Sequence, residues 1–192
     1  MAGGHAVGRH VALIRGINVG RAKRVAMAEL RALVEELGYG EVRTLLNSGN
    51  VVFDVPGTPA RGAADGIAGR IEAALAARTG VSARVTVLAA GELAEVVAEN
   101  PLGEVATDPS RLLVTVLTNP AADRPRLAPL GEREWAPGAL ALGARAAYLW
   151  CPEGILASPL PEAVGRVLGD AATARNWATI LKLHALAGDG RR

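Results

Sequence analysis

Apolar residues in the first half of the chain change their spacing several times, and each change predicts a new element. The run HVALIRGI (10–17) is short and apolar and reaches a glycine, which is typical of a buried strand. From Ala26 the apolar positions follow helical spacing up to Gly38, and a glycine suits the left-handed residue that ends a helix. EVRTLLNSGNVVFDV (41–55) then predicts two strands joined by a turn at residues 47–50.

A Gly-, Pro- and Ala-rich linker over 56–64 separates these elements from a second helix. Ile67, Ile71 and Leu75 fall on one face of that helix, and Gly80 closes it. The alternating run ARVTVL (83–88) predicts another strand. The resulting order, β-α-β-β-α-β, is that of the ferredoxin-like plait, in which two helices cover one face of an antiparallel sheet.

The second half contains the same kinds of element with less regular spacing. We predict a helix over 92–99, a strand over 111–117 and a hairpin over 139–150 that turns at Gly143. The Pro-rich segment 119–131 is predicted to hold only a short helix.

Two further helices are predicted to end the chain, one over 161–168 with a favourable first-turn proline, and one over 176–187. A boundary near residue 90 follows from these elements. The chain is therefore an α+β protein with an N-terminal plait over 1–90 and a C-terminal α-β subdomain over 91–192.

The amino-acid composition of the chain argues against several classes of function. The chain has 21 Lys and Arg against 19 Asp and Glu, and its net charge of +2 is too small to indicate nucleic-acid binding by bulk charge. One cysteine excludes an internal disulfide and a multi-thiolate metal site. Of three histidines, His5 and His10 lie in the N-terminal tail region, so no metal cluster is predicted, and no cofactor is expected.

Neither end of the sequence nor its middle predicts insertion into a membrane. The opening residues MAGGHAVGRH lack the apolar core of a secretory signal. No apolar run approaches the roughly 20 residues that span a bilayer. A cytoplasmic location is therefore expected.

The segment RGINVGRAKRVAMAEL (15–30) is the first candidate binding site. It joins a predicted strand to a predicted helix, where free backbone N–H groups and the positive end of the helix dipole converge. It lacks the Walker ending and the dinucleotide glycine pattern. An alternative is that its glycines serve turns and its cations are solvated. The residues predicted to hold an anion are Arg15, Gly16, Asn18, Lys23 and Arg24.

The turn at NSGN offers a second polar group. Asn47, Ser48 and Asn50 are ordinary residues for a hairpin turn, and that is the favoured interpretation. The functional alternative is an amide-rich tip that lies beside the first loop and contributes to its ligand site.

The predicted last helix carries a third group. At 100° per residue, Arg175, Thr179 and Lys182 share a narrow stripe that contains no acid, so it is either a solvated face or the lip of an anion site. Thr173 and Asn176 are candidate N-caps. The residues predicted to be roughly opposite the stripe and to pack in the core are Trp177, Ile180, Leu181 and His184.

Three segments, HVALIRGINVG, VRTLLNSGNVVF and TARNWATILKL, occur in an order that resembles the signature of a bacterial family, domain-of-unknown-function family 1697. The resemblance spans about residues 10–187. It implies two α-β plaits and lends no activity. Members usually carry Gly-Arg-Ser-Lys-Leu before the penultimate helix, whereas EGILASPL places Ala157 and Pro159 where the arginine and lysine would stand. Part of any cationic site built there in relatives is therefore missing from this chain.

These patterns together favour a protein that binds a small phosphate-bearing anion. In this hypothesis the cations of the first loop meet Arg175 and Lys182 across a basic interdomain cleft, a common location for ligands. Alternatives are a protein-interaction or oligomerisation module and, less favoured, a nucleic-acid-binding module, because Phe53 is the only aromatic residue in the first predicted sheet. No acid–base pair or nucleophile motif indicates a reaction.

Overall fold

The computed structural model describes residues 7–18, 24–57, 63–170 and 172–189. The chain divides into two compact units. Met1–Leu93 together with Ala185–Arg192 forms what we call the N-terminal unit, and Ala94–His184 forms the C-terminal unit. No helix in the described part of the chain is long and apolar enough to cross a membrane.

The N-terminal unit contains four strands and two helices in the predicted order. They are β1 (Val7–Ile14), α1 (Met27–Glu36), β2 (Gly40–Leu45), β3 (Asn50–Pro56), α2 (Ala63–Thr79) and β4 (Val85–Ala89). The strand order is β2-β3-β1-β4, and each neighbouring pair is antiparallel. Every element predicted in this half is therefore confirmed, with ends shifted by a few residues.

Helical spacing correctly identified the buried faces of α1 and α2. Leu30 and Val34 of α1 are fully buried, as are Ile71 and Leu75 of α2, and all four belong to one core with the even-numbered side of β1. Complete burial of each such side chain stabilises the fold by about 1.5–3 kcal/mol. Phe53, a large and fully buried side chain, belongs to the same core.

His10 was expected in a tail, and that expectation is wrong. It lies in β1 and is 5% exposed, because β1 is one of the two central strands of the sheet and pairs on both sides. One ring nitrogen lies 2.9 Å from the carbonyl oxygen of Gly8, and the ring stacks 6.1 Å from that of Phe53. A structural role explains this histidine.

The C-terminal unit repeats the same arrangement of strands. Its elements, together with the two helices that contain the unit boundaries, are α3 (Ala90–Ala98), β5 (Leu112–Leu117), α4 (Pro120–Gly131), β6 (Ala139–Leu142), β7 (Ala146–Trp150), α5 (Leu160–Leu168), β8 (Ala172–Asn176) and α6 (Trp177–Gly188). The strand order β6-β7-β5-β8, again antiparallel, is the order of the N-terminal sheet. The protein is thus an α+β chain with two four-stranded antiparallel sheets.

The prediction of only a short helix in the Pro-rich segment is wrong, since α4 has 12 residues. Its start is well capped: the side chain of Asn119 accepts a hydrogen bond from the Ala122 N–H, and Asp123 accepts one from the Asn119 N–H. Pro125 and Pro129 are exposed, so the carbonyls they leave without a helical donor can bind water. Capping and burial of Leu127 outweigh the prolines.

The assignment of Thr173 to a helix cap and of Arg175 to a helical stripe is also wrong, because residues 172–176 form a strand. This segment, ATARN, contains no large apolar residue, and it forms strand β8 because it pairs with β5. Thr173 and Arg175 therefore lie in a strand, so Thr173 does not cap the helix and Arg175 is not on the predicted helical stripe. Asn176 does cap α6, since its side-chain oxygen accepts a hydrogen bond of 2.9 Å from the Thr179 N–H.

The buried face of α6 differs from the predicted one. Ile180 is buried as predicted, but Leu181 is 38% exposed, and Leu183 occupies the core instead. Trp177 is half-buried and meets the ring of Tyr148 edge-on, with 6.5 Å between ring centroids.

Tyr148 is the largest fully buried side chain of the C-terminal unit, and its hydroxyl donates a 2.7 Å hydrogen bond to the Val96 carbonyl. Burial, with a smaller contribution from Glu99, raises the pKa of Tyr148 to about 12. Because the folded pKa exceeds the unfolded value, this tyrosine contributes stability that is complete below pH 10 and is lost as the pH rises toward 12.

Tyr148→Phe should therefore cost about 1 kcal/mol at pH 7, through loss of the hydrogen bond to Val96. It should also make the fall in unfolding free energy between pH 10 and 12 shallower than in the wild type, because phenylalanine has no proton to lose. Urea denaturation at several pH values measures both. If the unfolding free energies of the two proteins fell in parallel between pH 10 and 12, burial of the Tyr148 hydroxyl would be contradicted.

Gly49 is required by the geometry of the first hairpin. Its φ is +74°, and an added Cβ would lie 2.8 Å from Ile17 Cδ1 and 3.0 Å from Ile14 Cβ. Gly80 also has a positive φ, of +69°, but open space surrounds its Cβ position. Substitution of Gly49 would therefore cause both backbone strain and steric overlap, whereas substitution of Gly80 would cause backbone strain alone.

Gly49→Ala should destabilise the protein by about 2–4 kcal/mol, because backbone strain adds to overpacking. The matched control, Gly80→Ala, should cost only about 1–2 kcal/mol, the strain alone. Urea denaturation of both variants tests this difference. Equal losses of unfolding free energy in the two variants would show that the Ile17 side chain moves aside without an energetic cost.

Candidate functional site

The candidate site begins where β1 ends, in the segment we call the β1–α1 junction (residues 15–26). The Ile14 N–H donates to the Gly49 carbonyl at 2.8 Å, and the Arg15 N–H donates to the Arg84 carbonyl at 2.8 Å. The junction therefore leaves the sheet between the β2–β3 turn and the segment that leads into β4.

Asn18 ties this junction together. Its amide Nδ2 donates to the Val25 carbonyl at 2.8 Å and to the Asn47 carbonyl at 2.9 Å, while its Oδ1 accepts from the Val25 N–H at 2.9 Å. Its φ of +57° is one that asparagine tolerates better than most residues. The side chain is thus committed to holding the two ends of the loop together and against the β2–β3 turn.

The β2–β3 turn has its own internal support. Asn50 is fully buried, and its amide donates to the Leu45 carbonyl at 3.0 Å and to the Ser48 hydroxyl at 2.9 Å. Leu46 has a φ of +57° and a side chain that is half exposed. Asn50 is therefore structural, and the Ser48 hydroxyl supports it, whereas the side chain of Asn47 is exposed.

Among the described residues of the junction, Gly16, Arg24 and Ala26 are exposed, and Arg15 is half-buried. Lys23 lies outside the described residues. The N-cap of α1 is Ala26, which makes no side-chain capping hydrogen bond, and Glu29 is the acid in the first turn. An alanine cap leaves early N–H groups of the helix without the acceptor that Ser, Thr, Asp or Asn would supply.

The equivalent junction in the C-terminal unit is built differently. Only residues 118–119 separate β5 from α4, against residues 15–26 between β1 and α1. Asn119 caps α4 with its side chain. Since both units have the same strand order, the long, uncapped junction of the N-terminal unit is not a requirement of the topology.

Positive charge is concentrated in the same unit. The N-terminal unit contains 13 Lys and Arg against 9 Asp and Glu, whereas the C-terminal unit contains 8 against 10. A potential of this sign raises the local concentration of small anions.

The predicted site residues of the C-terminal unit occupy three different environments. Arg175 in β8 is half-buried, donates to the Ala174 carbonyl at 2.8 Å, and has its pKa lowered to about 10 by burial, so it stays charged at neutral pH. Asn176 is used as the cap of α6, and Lys182 is exposed on that helix. That these residues share a ligand with the β1–α1 junction stays a prediction.

Sequence reasoning missed Val25, whose backbone N–H and carbonyl both bind Asn18. Its side chain is buried although it follows a polar, cationic stretch, and that isolated valine was the only signal. Stacking of nucleic-acid bases on the first sheet would require an exposed Phe53. Phe53 is instead fully buried against Tyr39, with ring centroids 5.0 Å apart.

Two four-stranded antiparallel sheets of identical strand order define the class of this protein as a two-unit α+β chain. Residues 7–148 match the family model described as "Protein of unknown function (DUF1697)", and the chain belongs to this family. The fold is similar to that of the conserved bacterial protein SP0830 from Streptococcus pneumoniae, with a TM-score of 0.74 and 24% identity over 95% of this chain and 99% of that one. Among curated proteins, none matches the chain.

Asn18→Ala should destabilise the protein by about 2–3 kcal/mol, since three hydrogen bonds are lost and alanine tolerates a positive φ poorly. Asn18→Asp should behave similarly, because a carboxylate oxygen would face the Val25 and Asn47 carbonyls.

The control is Asn47→Ala, which keeps the Asn47 carbonyl and removes only an exposed side chain, so its effect should stay within about 0.5 kcal/mol. Thermal or urea unfolding distinguishes the variants. Equal stability of Asn18→Ala and Asn47→Ala would show that Asn18 does not hold the junction.

Proposed function

We propose that the N-terminal unit binds a small phosphate-bearing anion at the β1–α1 junction. The observation that carries the proposal is the contrast between the two strand-to-helix junctions. The short one is closed by its own Asn119 cap, whereas the long one presents an exposed glycine, flanking arginines and a helix with no side-chain cap. Backbone N–H groups at a helix start, with adjacent cations, suit phosphate oxygens.

Each accessible residue of the junction has a distinct role in this proposal. Gly16, whose φ is +69°, has open space at its Cβ position and allows a ligand to approach the backbone. Arg15 and Arg24 supply charge, and Lys23 enters the proposal from the sequence alone. Asn47 and Ser48 provide polar side chains at the neighbouring turn, while Asn18 and Asn50 keep loop and turn in place.

We also propose that both units are ferredoxin-like plaits. The support is that each has the element order β-α-β-β-α-β and places its first strand between the third and the fourth. In this arrangement the β1–α1 junction lies at the end of a central strand, where neighbouring segments on both sides contribute to a site.

Thermal unfolding in the presence of pyrophosphate, ADP or ATP tests the anion proposal. A ligand at 100 times its dissociation constant should stabilise the wild type by about 2.7 kcal/mol. Arg24→Gln should weaken binding about threefold to tenfold, since one exposed charge-assisted contact is lost.

Arg166→Gln is the matched control, because it removes the same charge from an exposed position in the C-terminal unit, where Arg166 pairs with Glu162. It should leave the ligand-induced shift unchanged. Absence of any shift at constant ionic strength, or an equal reduction in both variants, would contradict the proposal.

A further inference from the structure

The C-terminal sheet ends at a strand whose outer edge is open. β6 pairs with β7 alone, and it is one of the four strands that lie at the ends of the two sheets. The outer side of such a strand presents backbone N–H and C=O groups that can pair with another chain. Proteins therefore usually protect edge strands with bulges, charged side chains or covering segments.

The β4 edge of the N-terminal sheet is covered by carboxylates. The N–H groups of Val85 and Ala89 point away from β1, the strand with which β4 pairs. Glu72 accepts the Val85 N–H at 2.8 Å, and Glu92 accepts the Ala89 N–H at 2.9 Å. These side chains occupy hydrogen-bonding positions that an added strand would use, so β4 is a protected edge.

The edges of β8 and β2 are obstructed in other ways. The Arg175 guanidinium donates to the Ala174 carbonyl, which points away from β5, and the chain turns into α6 directly after β8. β2 contains a bulge between Gly40 and Arg43, where Glu41 has a φ of +45°. The bulge and the two charged side chains interrupt the regular pairing that a further strand would need.

The hydrogen bonds of the β6–β7 hairpin determine which backbone groups of β6 point outward. The Gly143 N–H donates to the Ala146 carbonyl at 2.8 Å, so these residues form a hydrogen-bonded pair. Such pairs alternate along an antiparallel ladder, so the odd-numbered residues of β6 bind β7. The N–H and C=O groups of Leu140 and Leu142 therefore point away from β7. None of these outward groups has a hydrogen-bond partner among the described residues.

The side chains of β6 leave this edge uncharged. Leu140 and Leu142 point toward α4, since a Cβ on Gly131 of that helix would lie 3.8 Å from Leu140 Cδ2 and 3.6 Å from Leu142 Cδ1. Ala139 and Ala141 lie on the opposite face of the strand and are partly exposed, as is Leu142. The sequence of the strand is ALAL, and its register with β7 is regular. Among the described edges, that of β6 therefore has neither a charge nor a bulge to protect it.

We propose that two copies of this chain associate by antiparallel pairing of their β6 edges. With the two-fold axis at Ala141, Leu140 of each copy forms a hydrogen-bonded pair with Leu142 of the other. An uncharged strand that pairs with itself places no like charges opposite each other. The second copy also covers the partly exposed Leu142. A foreign strand would instead need pockets for its alternate side chains, and the open face of β6 offers alanines.

Sedimentation equilibrium of the full chain measures this association. We expect a dimer with a dissociation constant of about 0.1–1 mM, because one short strand buries far less surface than a standard interface. Backbone hydrogen exchange followed by NMR locates the contact. At about 1 mM protein, exchange of the Leu140 and Leu142 amides should be about twofold to fivefold slower than in dilute solution, by mass action. The Ala141 amide, which already binds β7, should show no such dependence.

A charge exchange at the two-fold axis tests whether the partner is a second copy. Ala141→Lys and Ala141→Glu each place like charges opposite each other and should weaken self-association about threefold to fivefold. An equimolar mixture of the two variants should associate more tightly than either alone, which also shows that both are folded. Ala77→Lys, at an exposed position of α2, is the control and should match the wild type.

Three results would overturn the proposal, which concerns the C-terminal unit and is independent of the anion proposal. The first is a chain that stays monomeric up to about 1 mM, where a strand-edge dimer should be populated. The second is exchange of the Leu140 and Leu142 amides that does not depend on protein concentration. The third is a mixture of the two Ala141 variants that associates no better than each variant alone.

Discussion

Three hydrogen bonds of one side chain, that of Asn18, hold the region on which the anion proposal depends. They join the beginning of the β1–α1 junction to its end and to the β2–β3 turn. Without them the chain between β1 and α1 would be a long loop with few internal contacts, and long loops order poorly unless their own groups restrain them. Asn18 uses its amide internally and is therefore a structural residue of the junction, and the exposed residues among those that the structure describes there are Gly16, Arg24 and Ala26.

The sequence predicted the N-terminal unit well because its signals were strong and mutually consistent. Leu30, Val34, Ile71 and Leu75 are large, regularly spaced and fully buried, and a glycine follows each helix. The failures in the C-terminal unit have the opposite cause. β8 has no large apolar residue and exists because β5 offers it hydrogen-bonding partners, which is a tertiary effect. α4 contains two interior prolines that local propensity counts as breaks, yet a good cap and one buried leucine maintain it.

The candidate site shows a second limit of prediction from sequence, which is that residue type alone does not reveal the role of a polar side chain. Asparagine, serine and glycine in a loop are typical either of a ligand-binding site or of a structural turn. Residue type does not distinguish the two cases here. Asn18, Asn50 and Asn176 have their amides committed to backbone or side-chain partners, one of which is the Ser48 hydroxyl, whereas the side chain of Asn47 is exposed. The spacing of residues in the sequence could not distinguish structural side chains from exposed ones. The distinction depends on where the backbone groups of Val25 and Leu45 lie in the fold. Only the three-dimensional arrangement shows which polar groups remain for a ligand.

A concave surface can also form from residues that carry no chemical motif. Residues 135–138 and 151–159 line a small pocket in the C-terminal unit, because the chain after β7 returns to the segment before β6. Tryptophan and proline are expected in a core or a turn, so spacing in the sequence could not predict that they meet there. Pro159, one of the lining residues, stands where the family resemblance predicts a lysine, so this departure from the family pattern falls at a concave surface.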